Sequence, residues 1–78
     1  MKRELSISQI YNDFINKVLL TDEELKVLDM FIKNYSYVKI GNELGMSDRN
    51  VGRIVNALKQ KYEIYKKLEV ARIKIFMS

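Results

Sequence analysis

Apolar residues recur along this chain at helical spacing. Ile7, Ile10, Phe14 and Val18 fall at steps of three and four, which puts them on one face of a helix over about Ser6 to Leu19. Ser6 offers a hydroxyl as its N-cap. Leu25, Leu28, Phe31 and Ile32 repeat the pattern and predict the buried face of a second helix, ending near Asn34. A third begins near Ser36 or Tyr37 and closes at Leu44, with Val38, Ile40 and Leu44 as its apolar contacts. A fourth opens at Ser47 and buries Val51, Ile54, Val55, Leu58 and Tyr62. Beyond it, Tyr65, Leu68, Ala71 or Arg72, and Ile75 stay near a heptad spacing, which fits either a fifth helix or a continuation of the fourth. The stretch from Arg72 to Phe76 alternates as a strand would, but a lone terminal strand has no evident partner, so helix is preferred.

Local chemistry marks where these helices start and stop. Thr21 can cap the amide of Glu24 while Glu24 reaches back, a T-x-x-E capping box. Asp22, Glu23 and Glu24 also lie at the positive end of that helix's dipole. Gly45 follows Leu44 as a left-handed stop, and Ser47 caps the next helix. The chain has no proline and three glycines, so strand-and-turn punctuation is nearly absent. The expected fold is therefore all-α, a four- to five-helix bundle containing a helix-turn-helix, with a long or paired C-terminal helix. Its 78 residues make one domain. Within it, 1–19 is an N-terminal helix, 20–62 the helix-turn-helix core and 63–78 the C-terminal helix.

Composition narrows the chemistry. The absence of cysteine removes disulfides and thiolate metal sites. The absence of histidine removes the commonest general base and zinc ligand. An enzyme is not expected, nor a cofactor or metal. No apolar run approaches the length of a membrane span, and the charged start lacks a signal peptide's apolar core, so the expected location is the cytoplasm. Net charge is +4, compatible with a polyanionic partner. The excess lies in the last twenty residues, where Lys59, Lys61, Lys66, Lys67, Arg72 and Lys74 face only Glu63 and Glu69.

The informative stretch runs from Tyr37 to Lys61. Two helices crossing steeply at a tight turn need a small residue at the crossing, which Gly41 supplies, and a positive φ at the turn, which Gly45 supplies. Ile40, Leu44, Met46, Val51 and Ile54 plug the corner. Ser47, Asp48, Arg49, Asn50, Arg53 and Asn56 give the following helix the polar first turns that enter a major groove. Arginine reads guanine edges and asparagine reads adenine, so Arg49 and Arg53 rank first and Asn50 next. Lys39, Lys59 and Lys61 are candidate phosphate contacts. Thr21 is read as a cap rather than a contact.

The order Leu20-Thr21-x-x-Glu24, Val27-Leu28, Ile40-Gly41-x-x-Leu44-Gly45-Met46-Ser47, Val51 and Lys61-Tyr62 resembles LuxR/GerE-type helix-turn-helix domains. It is similar also to region four of bacterial sigma factors. The resemblance covers about Leu20 to Phe76. It implies a four-helix DNA-binding domain whose third helix enters the major groove and whose last helix often forms a dimer contact. On this chain the reading helix then starts at Ser47 and the dimer helix is Tyr65 to Phe76. The family has a glycine before its last helix. Here the matching stretch is Lys61-Tyr62-Glu63-Ile64, which leaves a fused rod open.

The apolar tail has two readings. It packs back on Ile7, Ile10, Tyr11 and Phe14, or it forms a two-fold seam through Tyr65, Leu68, Arg72, Ile75 and Phe76, the preferred alternative in so small a domain. The expected function is a sequence-specific, homodimeric transcription regulator bound to double-stranded DNA. The alternatives are an adaptor that binds RNA polymerase or a sigma factor through the same scaffold, motivated by Asp48, Gly52 and the apolar tail, and DNA recognition in phage packaging.

Overall fold

A computed structural model describes the backbone of residues 1–77 and the side chains of residues 1–69. It is all-helical, with five helices in the order α1 (Lys2–Leu5), α2 (Ser8–Lys17), α3 (Asp22–Ile32), α4 (Tyr37–Leu44) and α5 (Asp48–Met77). The continuation is realised: the expected fourth helix and the tail form one 30-residue helix. At a rise of 1.5 Å per residue it spans about 45 Å, and it sets the long axis of a molecule measuring 48 × 19 × 17 Å. Helices α2, α3 and α4 pack along it, and α1 closes against α2 and α3. No helix among the described residues is long and apolar enough to cross a membrane.

The Thr21–Glu24 capping box forms as the sequence implies. The Thr21 hydroxyl accepts from the Glu24 amide at 3.1 Å and the Glu24 carboxylate accepts from the Thr21 amide at 3.0 Å. At the other end of α3, Asn34 takes φ 70°. Its amide donates to the Phe31 carbonyl and the Tyr35 amide to that of Met30, a Schellman closure. Ser36 caps α4 by accepting from the Lys39 amide.

The core is a continuous cluster of Leu5, Phe14, Val27, Leu28, Phe31, Ile40, Val51, Val55, Leu58, Tyr62 and Tyr65. On α5 the buried positions step by four and three from Val51 to Tyr65, the stripe that periodicity predicts. Phe14 lies edge-on to the rings of both Tyr62 and Tyr65, with centroids 5.4 Å away in each case.

Three expectations are corrected. The first helix does not run unbroken from Ser6. The Ser6 hydroxyl donates to the Arg3 carbonyl and closes α1, the chain turns extended at Ile7, and α2 starts at Ser8 without a side-chain cap. The break lets Leu5 reach the core, where it is 1% exposed, and leaves Ile7 54% exposed. Helix α2 also stops at Lys17, because Val18 is extended. Val38 is 58% exposed rather than an apolar contact, since the buried side of α4 runs through Ile40 and Gly41. Finally, Tyr65 faces inward: its hydroxyl donates to Asp13 and its ring meets Phe14.

Candidate nucleic-acid interface

Helices α4 and α5 meet at the three-residue turn Gly45-Met46-Ser47. Gly45 has φ 69° and ψ 37°, a left-handed conformation that costs a residue with a Cβ about 1–2 kcal/mol. The turn folds back so tightly that the Gly41 carbonyl accepts from the amides of both Gly45 and Met46. A Cβ on Gly41 would overlap the Met46 carbonyl oxygen, so position 41 is small because backbone passes directly over it. Ile40 and Val51 are fully buried on either side of the corner, and Leu44, Met46 and Ile54 pack against the core to which those two residues belong.

Helix α5 begins with the Ser47 hydroxyl accepting from the Asn50 amide at 3.1 Å. Asp48, Arg49, Asn50, Arg53, Asn56 and Lys59 are exposed on its following turns. Arg49, Arg53 and Lys59 enter none of the ion pairs among the described residues. Arg49, Gly52, Arg53, Asn56, Ala57 and Gln60 line an open trough of about 560 Å³ along this face. A second hollow, of about 250 Å³, is lined by Asn50, Arg53 and Ile54 with Met46 and Glu23. Arg53 belongs to both and is the pivot of the surface. Gly52 and Ala57 keep the trough shallow-walled, and the Tyr37 ring from α4 lies beside Gly52.

The remaining sequence candidates separate by position. At 100° per residue, Asp48 and Lys59 lie about 140° and 120° around α5 from Arg53 in the same direction, so both sit beyond the Gly52 edge of the trough. The negative charge of Asp48 is thus off the arginine line. Lys39 sits at the start of α4 with its ammonium 4.5 Å from the centre of the Tyr35 ring, held against the surface by cation–π attraction.

Lys61 is drawn inward. Its ammonium donates to both carboxylate oxygens of Glu24, at 2.8 and 2.9 Å, and to the Leu19 carbonyl. Burial pushes the Glu24 carboxyl up, but Lys61 and the Thr21 amide outweigh it and hold the group below its ordinary value. Lys61 therefore ties α5 to the capping box of α3 rather than standing ready for phosphate.

Of the proposed dimer residues, Tyr65 is buried within the chain and Leu68 is 65% exposed. The side chains of Arg72, Ile75 and Phe76 lie outside the described residues. Leu68 joins Leu19, which is 92% exposed, and Ile64 around a groove of about 490 Å³ between α5 and the α2–α3 link, which Lys17, Lys61 and Glu69 also line.

Sequence reasoning missed Gln60, Tyr37 and Glu23 at this surface. Gln60 was legible, because it continues Arg53 and Asn56 at steps of seven and four. Tyr37 and Glu23 come from other helices, and no spacing within α5 points to them. The chain matches no protein-family model, no curated protein and no solved structure.

Proposed function

We propose that the protein is a sequence-specific DNA-binding transcription regulator of the cytoplasm, acting by binding rather than catalysis. The first turns of α5 enter the major groove, and α4 with its tight turn forms the other half of a helix-turn-helix. One observation carries the reading: a Ser47-capped helix leaves a left-handed Gly45 turn with Arg49, Arg53 and Asn56 exposed along a single trough. A helix is about the width of a major groove, and this arrangement offers it the side chains that read guanine and adenine edges. Lys39 and Lys59 supply flanking phosphate contacts. Homodimerisation belongs to the same proposal, with Leu68 as its described exposed residue.

Selection of duplexes from a random pool tests it. The expected result is a palindromic consensus whose affinity falls steeply with salt, because phosphate contacts release counterions. Replacing Arg49 or Arg53 by alanine weakens binding to that site about ten- to hundredfold each. A double variant that binds the selected site as the parent does refutes the reading.

The exposed groove at Leu19, Ile64 and Leu68 favours a second reading, in which the scaffold docks RNA polymerase or a sigma factor. Binding of the purified polymerase with no duplex binding even at low salt would select it.

A further inference from the structure

The acidic first turn of α3 contains more charge than its cap uses. Glu24 closes the capping box and holds Lys61. Glu23, one residue earlier, is exposed, and its carboxylate enters no ion pair or hydrogen bond among the described residues. It lines the hollow that holds Asn50 and Arg53, and also the neighbouring one formed with Lys26, Leu44 and Met46. It is thus the acidic side chain that shares a hollow with two of the base-reading candidates.

We propose that Glu23 is a positioning residue for Arg53. The inference rests on the DNA-binding reading. An arginine that reads a guanine edge uses one side of its planar fork and leaves other N–H groups facing the protein. A carboxylate across the hollow accepts from those groups and fixes the plane of the guanidinium. Arg53 also lines the trough shared with Arg49 and Asn56, so without such a partner it has two directions to take. The same charge repels phosphate, so Glu23 lowers affinity for unselected DNA while sharpening the choice of base. Lys26 lines the second hollow with Glu23 but forms no ion pair with it.

The test is duplex selection with the full chain, its Glu23→Gln variant, Arg53→Ala and the double variant. Glu23→Gln is expected to bind random-sequence duplex several-fold more tightly, since one repulsive charge near the phosphates is gone. It is also expected to flatten the base preference at one position of the consensus. In the Arg53→Ala background, Glu23→Gln is expected to change that preference no further, which distinguishes action through Arg53 from direct contact with a base. A Glu23→Gln consensus superimposable on the parent's overturns the inference and leaves the DNA-binding reading standing. So does an effect on base choice that persists without Arg53. A parent chain that selects no duplex overturns both.

Discussion

The three glycines of this chain answer different demands, and substitution by alanine separates them. At Gly45 nothing lies within 4 Å of an added Cβ, so the cost is the left-handed backbone alone. Gly45→Ala is expected to lower stability by about 1 kcal/mol. At Gly41 the added carbon meets the Met46 carbonyl, which belongs to rigid backbone. Gly41→Ala should cost more, about 2–3 kcal/mol, and distort the turn. At Gly52 a Cβ would sit 3.6 Å from the Tyr37 ring, an ordinary contact inside a helix. Gly52→Ala should stabilise by about 0.5–1 kcal/mol while adding a methyl to the trough. Urea titration of the three variants checks the order, and a Gly41→Ala variant as stable as Gly45→Ala would contradict the packing argument. Asn34 makes the comparison internal, since it holds φ 70° with a Cβ in place.

Among elements, two of the polar ties that hold α5 against its neighbours respond to opposite ends of the pH scale. Lys61 binds Glu24 of α3, and Tyr65 donates to Asp13 of α2. The Glu24 carboxyl titrates below its ordinary value of 4.5 in the folded chain, so near that pH the unfolded chain binds more protons. The tie therefore contributes fully above pH 4.5 and is lost as pH falls below it. Tyr65 is the reverse case. Burial, reinforced by its hydrogen bond to Asp13, pushes its hydroxyl up to about 12. The folded chain keeps a proton that the unfolded chain releases near pH 10, so this contribution is complete below 10 and declines toward 12. Lys61→Met should lower stability by about 1–2 kcal/mol at neutral pH, because Glu24 loses its partner while Lys61 itself is one-third exposed in the parent. The variant's deficit should shrink below pH 4, and denaturation curves at pH 7 and pH 3.5 measure it. A deficit that is constant with pH would mean that the pair matters through packing alone.

For the molecule as a whole, one long helix carries both surfaces of interest. The trough begins in the first turn of α5, at Arg49, and runs to Gln60, and the groove around Ile64 and Leu68 follows about 6 Å further along. The Phe14, Tyr62 and Tyr65 rings hold the N-terminal helices to the middle of that rod. Phe14 is fully buried, and Phe14→Leu is expected to cost about 1–3 kcal/mol and Phe14→Ala about 3–5 kcal/mol. A domain of this size has only about 4–12 kcal/mol in total. Thermal melts should show Phe14→Ala largely unfolded at 37 °C, whereas melting like the parent would place the N-terminal helices outside the cooperative unit.

Much of this architecture follows from interactions that span four residues or fewer. The Thr21–Glu24 box, the Ser36 and Ser47 caps, the Gly45 stop and the buried stripe from Val51 to Tyr62 are local consequences of hydroxyls, a missing Cβ and helical periodicity, so the sequence alone determined them. It also determined that Arg49, Arg53 and Asn56 share a face, because that needs only the helical repeat. Tertiary structure decided the rest. Lys61 meets a carboxylate 37 residues away, and Tyr65 meets Asp13 across 52. Leu5 is buried and Ile7 exposed because the chain breaks between them to bring α1 onto α3. Glu23 joins the arginine face from another helix. Which side of an amphipathic helix is covered, and which charge is already paired, depends on a second element whose distance along the chain no periodicity encodes.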